Sequence, residues 1–276
     1  MKRITGIIIL SMLLAACDKL GSDSYLTEFP AVVADFTLKS SLSPETGAFS
    51  WEEGDRIKVH NGEDEAVFSY DPDKGRFITD KNHFEKTGEY QAVYPADIAD
   101  VVDGSFVLHL PASRNAGTSL VDKVPLFLWK VRDGLFKFRS VCGVAKLQLV
   151  GSGVALYESS LTKVEFISTG GFVAGDGKLG KDGSLSMESG SRVLTVDCPE
   201  GMSVGSPVYL VLPAQKNPMG SKARFHFSDG KILESETSMG IVPRSGMIKS
   251  YEIEITADFF GPLEDFEDGG SLDDKY

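Results

Sequence analysis

Residues 250–256 read SYEIEIT, in which Tyr251, Ile253 and Ile255 alternate with Glu252 and Glu254. Successive side chains of an extended chain point to opposite faces, so this spacing puts three apolar residues on one side and two carboxylates in water. The same period of two recurs in RIKVH (56–60), EAVFSY (65–70), SFVLHLP (105–111), GLFKFRS (134–140) and VAKLQLV (144–150). It continues in LTKVEFIS (161–168), SRVLTVD (191–197), SPVYLVLP (206–213) and ARFHFSD (223–229), as strands with one buried face do. Between these runs lie HNGED (60–64), DPDKG (71–75), VRDGL (131–135), GDGKLGKDGS (175–184) and SDGK (228–231), clusters that close hairpins. No stretch carries a long apolar face at period 3.6. The expectation is therefore an all-β protein of short antiparallel strands packed as sandwiches.

The amino terminus obeys a different logic. Lys2 and Arg3 precede an apolar run from Ile4 to Leu14, shorter than the roughly 20 residues a membrane-spanning helix needs. The run ends in Leu14-Ala15-Ala16-Cys17, which fits a bacterial lipobox. Residues 1–16 read as a lipoprotein signal peptide and Cys17 as the acylated first residue of the mature chain. Its acyl chains would hold the protein to outer-membrane lipid at the cell surface.

Without Lys2 and Arg3, 26 basic residues face 40 acidic ones, a net charge of −14. Binding to nucleic acid depends on Lys and Arg neutralising phosphates, so that partner class is excluded as an expectation. Hydrophobic residues at 42% supply enough for a packed core. Beyond Cys17 only Cys142 and Cys198 remain, and they read either as a disulfide or as two small buried side chains. Domain limits follow composition: a tether over 17–30, an N-terminal sandwich over 31–135 and a C-terminal sandwich over 136–257. An acidic tail without alternation follows over 258–276.

Motifs that carry chemistry are weak in this chain. Gly175, Gly177 and Gly180 spell GxGxxG, but the pattern leads into another turn instead of opening a helix, so a hairpin is expected and no nucleotide. Asp71 and Asp73 resemble the start of a calcium loop whose twelfth place should be Glu and is Asn82, so a tight turn is expected. His60, His83, His109 and His226 stand one per segment, with no HExxH or Cys/His cluster, which gives no metal site. A glycosidase needs two carboxyls flanking a sugar, one of them desolvated, whereas Glu52, Glu53, Glu63, Asp64 and Glu65 lie in turns. No catalytic residue and no cofactor is assigned.

PETGAFSWEEGDRIKVHNG followed by GEYQAVYPAD resembles the start of the fimbrillin family, surface lipoproteins that include subunits and anchors of type V pili. Trp51, Gly54, Asp55 and the pair Tyr94-Pro95 carry that part. The resemblance continues through KVPLFLWKV, FKFRSVCGVAKLQL, LTKVEFISTGGFVAG, SPVYLVLPAQ and MIKSYEIEI. It implies two tandem transthyretin-like antiparallel β-sandwich domains. In polymerising members it also implies a cut after an arginine, loss of the first strand, and refilling of the groove by a strand of the next subunit. No arginine stands between Cys17 and Trp51, which leaves Lys39 as the candidate processing site, and the tail lacks a donor strand's alternation. An uncut first strand, AVVADFTLK from Ala31 to Lys39, is then expected to stay paired.

These readings give a lipid-anchored structural or adhesive protein, an anchor or accessory component of a fimbria. Its expected partners are other fimbrial subunits, through donor-strand or edge pairing, and a host protein or glycan. Two alternatives stay open: a surface glycan-binding lipoprotein of a polysaccharide uptake system, with Trp129 as ligand contact, and a polymerising pilin cut near Lys39.

Overall fold

The computed structural model describes residues 25–33, 51–80, 84–86, 89–116, 125–128, 135–156, 158–214 and 219–256. Cys17, Lys39, Trp129 and the tail over 258–276 lie outside them. Among the described residues the first strands are β1 (Glu28–Phe29), β2 (Ala31–Val33), β3 (Arg56–His60), β4 (Glu65–Asp71), β5 (Arg76–Ile78) and β6 (Gln91–Tyr94). They continue as β7 (Ala99–Val102), β8 (Ser105–Leu110), β9 (Ser113–Asn115), β10 (Leu126–Leu128), β11 (Phe136–Ser140) and β12 (Cys142–Val150). After one short helix, α1 (Ser152–Leu156), come β13 (Leu161–Ser168), β14 (Ala174–Leu179), β15 (Leu185–Ser191) and β16 (Val193–Asp197). The last are β17 (Val208–Pro213), β18 (Met219–Phe227), β19 (Ile232–Ile241) and β20 (Ile248–Glu254). The all-β sandwich expectation holds.

Among the described residues four sheets form, in the orders β1-β5-β4-β3-β6-β10-β11-β2, β15-β14-β8-β7, β17-β12-β20 and β19-β18-β13-β16-β9. The alternation read from sequence decides which side chains each sheet buries. On β3 and β4, Ile57, Val59, Ala66 and Phe68 point into a first core with Phe29, Phe77, Phe84, Phe136 and Phe138. On β12 and β17, Ala145, Leu147, Leu149, Val208, Leu210 and Leu212 face a second core shared with Val164, Phe166, Leu194 and Phe225 of the five-stranded sheet. Val144 and Val211, at the opposite parity, face a third core instead.

That third core joins the two halves. It gathers Val93 and Phe127 from the back of the first sheet, Phe106, Leu108 and Leu110 from β8, Leu179 from β14, and Cys142. Strand pairing accordingly crosses residue 135, where the sequence suggested a domain limit. β11, beyond that limit, pairs with β10 and β2, while β8 pairs with β14 and β9 with β16. The chain changes sheet at Val141, where the Ser140 hydroxyl donates to the Cys142 carbonyl at 2.7 Å and accepts from the Cys142 N–H at 3.2 Å. The hairpin of β14 and β15 requires glycine where its strands meet: a Cβ on Gly190, at φ +142°, would sit 1.9 Å from the Ala174 carbonyl oxygen.

Candidate assembly site

The first sheet begins and ends with strands that are neighbours in sequence, β1 and β2, separated only by Pro30. Glu28 and Phe29 pair antiparallel with Ile78 and Phe77, and two residues later Ala31–Val33 pair parallel with Phe136–Phe138. One segment thus closes both edges of the sheet. Pro30 sits at the changeover, where a missing N–H costs nothing, and its carbonyl accepts from the Phe136 N–H at 3.1 Å. The pairing starts earlier still, with Tyr25 bridged to Glu85, Leu26 N–H donating to the Phe84 carbonyl at 2.8 Å and Thr79 N–H donating to the Thr27 carbonyl at 3.0 Å. The last six residues of the expected tether, 25–30, are therefore part of the sheet. A proline inside EFPAVV hides the strand from a period-two reading.

Phe29 anchors this closing segment. It is 2% exposed, and its ring stacks on Phe136 at 3.7 Å between centroids and lies 4.8 Å from Phe68 and 5.9 Å from Phe77. Trp51 locks the other half: its indole N–H donates to the Ala31 carbonyl at 2.9 Å, and its ring meets Phe77, Tyr94 and Phe138 edge-on. The Tyr94 hydroxyl donates to one oxygen of Asp55 at 2.8 Å, and the other oxygen accepts from the Glu52 N–H at 2.8 Å. Trp51, Gly54, Asp55 and the cis-linked Tyr94-Pro95, far apart in sequence, thereby form one cluster behind the closing strand. Glu52 and Glu53 stay exposed at the mouth of an open cleft that Arg56 and Asp97 also line. Their carboxylates are solvated, which is the wrong setting for a general acid.

The remaining polar clusters are structural in geometry. A ladder crosses the junction of the halves: Lys58 Nζ lies 3.3 Å from Asp100, His109 Nε2 lies 3.1 Å from Asp100, and His109 Nδ1 lies 2.7 Å from Asp176. The hydrogen bond to Asp176 holds the His109 pKa above its ordinary value, and that from Lys58 holds Asp100 below its own. Asp71 accepts from the N–H groups of Asp73 and Lys74 at 3.0 and 3.1 Å, which makes DPDKG an Asx turn. Gly175 to Leu179 lie in strand β14, and no helix follows. Among the described residues no group of three or more His, Cys, Asp or Glu is placed to hold a metal.

Cys142 and Cys198 do not pair; both are free thiols. They belong to different cores, Cys142 fully buried in the joining core and Cys198 packed against the second core. Burial pushes their thiols up to about 12 and about 11, so both stay neutral and inert.

No family profile matches the chain, and no curated protein does. Among solved structures, that of a candidate cell adhesion protein from Bacteroides ovatus superposes with a TM-score of 0.59 at 16% identity, covering 83% of this chain and 92% of that one. The two share a fold over most of their lengths. A candidate cell adhesion protein from Bacteroides fragilis, at TM-score 0.41 and 8% identity, covers 84% of this chain with 91% of its own. A candidate adhesin from Bacteroides ovatus, at 0.41 and 10%, covers 92% with 98%.

Proposed function

We propose that this protein is a non-catalytic, lipid-anchored surface protein of structural or adhesive role, tethered through Cys17, serving as the anchor or an accessory component of a fimbria. The observation that carries the reading is the segment 25–33, which closes both edges of the first sheet. Sealing of the sheet by this strand is also what an uncut polymerising subunit would have; retention of the strand, and with it the lipid upstream, is favoured here because no arginine stands between Cys17 and Trp51. Cleavage after Lys39 would remove the segment and bare the edges of β5 and β11, exposing Phe77 and Phe136. The Bacteroides ovatus protein of the same fold carries a name for cell adhesion, which supports the adhesive part of the reading.

Intact mass and amino-terminal sequencing of the protein from cell envelopes test it. The expected product starts at an acylated Cys17; an unlipidated chain starting at Ser40 would overturn the anchor reading and favour a polymerising subunit.

A further inference from the structure

Among the described residues the first sheet has both edges closed, whereas the three-stranded sheet ends on β20 with no further strand beside it. The five-stranded sheet faces three described strands, and β17 approaches β16, which leaves β20 at the end where β18 and β19 lie. There Leu233 of β19 and Tyr251 and Ile253 of β20 pack on the core yet stay only partly buried. The Tyr251 hydroxyl is buried without a hydrogen-bond partner among the described residues, and the Lys249 ammonium lies 5.0 Å above its ring centroid.

The backbone phase of β20 follows from two hydrogen bonds. Val144 N–H donates to the Met247 carbonyl at 2.9 Å and Ile255 N–H to the Val150 carbonyl at 2.8 Å, at the two ends of the parallel ladder of β12 and β20. In such a ladder alternate residues serve one neighbour, so residues 249, 251 and 253 turn their N–H and C=O groups to β12. The groups of Ser250, Glu252 and Glu254 point the other way, where no described strand pairs. β20 runs seven residues in unbroken register without Gly or Pro, whereas β14 and β15 shift register at Asp176/Gly177 and β17 is bounded by Pro207 and Pro213.

We propose that this free edge of β20 is a docking site for an extended strand of a partner protein that presents apolar residues toward Leu233, Tyr251 and Ile253 and basic residues beside Glu252 and Glu254. Added pairing satisfies the outward backbone groups, and alternate side chains complete the apolar row. Charge selects the occupant: the chain carries a net charge of −12 and the outer face of β20 is acidic, so a second copy is repelled and a basic strand is drawn in. The site stands whether or not Cys17 carries a lipid.

The test uses the purified chain and a fluorescent seven-residue peptide of alternating valine and lysine, matched to the length of β20. Saturable binding by anisotropy is expected, with new amide-exchange protection at Ser250, Glu252 and Glu254. Ser250→Pro removes an outward N–H while leaving the β12 ladder intact, and should weaken binding at least about tenfold. Glu252→Lys with Glu254→Lys should switch the preference to a valine–glutamate peptide. No binding, equal binding by Ser250→Pro, or protection that appears elsewhere overturns the proposal. Should Ser250→Pro unfold, the exchange pattern of the unsubstituted chain and the charge-reversed pair decide the question.

Discussion

Truncating Phe29 to alanine tests whether the closing segment holds the first sheet together. The ring is 2% exposed and lies among Phe136, Phe68 and Phe77 at 3.7 to 5.9 Å. Removing a buried phenylalanine loses transfer energy and leaves a cavity, about 3–5 kcal/mol together, and part of the stacking contribution disappears with it. Against a total stability of about 5–15 kcal/mol this is a large fraction. With an m value of about 2 kcal/mol/M in urea, the unfolding midpoint should fall by about 2 M. Tryptophan fluorescence is the assay, since Trp51 is bonded to Ala31 in the same segment. The preceding residue provides the control. Glu28 pairs with Arg76 at 2.9 Å, but both side chains are nearly half exposed, so Glu28→Ala should cost less than about 1 kcal/mol. If Phe29→Ala costs no more than Glu28→Ala, the segment is not what closes the sheet and the reasoning fails.

Three further outcomes are expected. His109 has a folded pKa above its unfolded value of 6.5, so its contribution is fully present below about pH 6.5 and lost as pH rises through the folded value. Because the side chain is 45% exposed, His109→Gln should lower stability by less than about 1 kcal/mol at pH 5.5 and by nothing measurable at pH 9. Equal losses at both pH values would contradict the ion ladder. Gly190→Ala must push a Cβ into the Ala174 carbonyl and should cost more than about 2 kcal/mol in thermal unfolding; a neutral effect would refute the close approach of β14 and β15. Cys142, buried with its thiol pushed up to about 12, should resist iodoacetamide at pH 8 in the folded chain and react fully in urea, read by mass spectrometry. Rapid native labelling would contradict its place in the joining core.

Much of the local structure was legible in the residues. The alternation in SYEIEIT placed Tyr251, Ile253 and Ile255 on one face, and these three pack on the second core. DPDKG read as a turn because Asp side chains bond to their own following N–H groups, as Asp71 does. GxGxxG read as a hairpin, and β14 and β15 do pair antiparallel across a turn in which the Gly183 N–H donates to the Gly180 carbonyl at 2.9 Å. The closing segment was not legible in full. EFPAVV is short and interrupted by Pro30, and nothing local shows that its two halves serve opposite edges of a sheet. Nor could spacing tell that Cys142 and Cys198 face different cores.

The sequence alone determined the all-β class, the faces of the strands and the turns, because each depends on side-chain parity and backbone preference within a few residues. Tertiary structure decided which strands became neighbours. Partners such as β8 and β14, or Phe29 and Phe136, lie tens of residues apart, and their pairing is selected by burying apolar faces and satisfying edge groups together. Only in the folded chain does it emerge that the first sheet is sealed by its own leading strand, while among the described residues no strand pairs with the outer edge of β20.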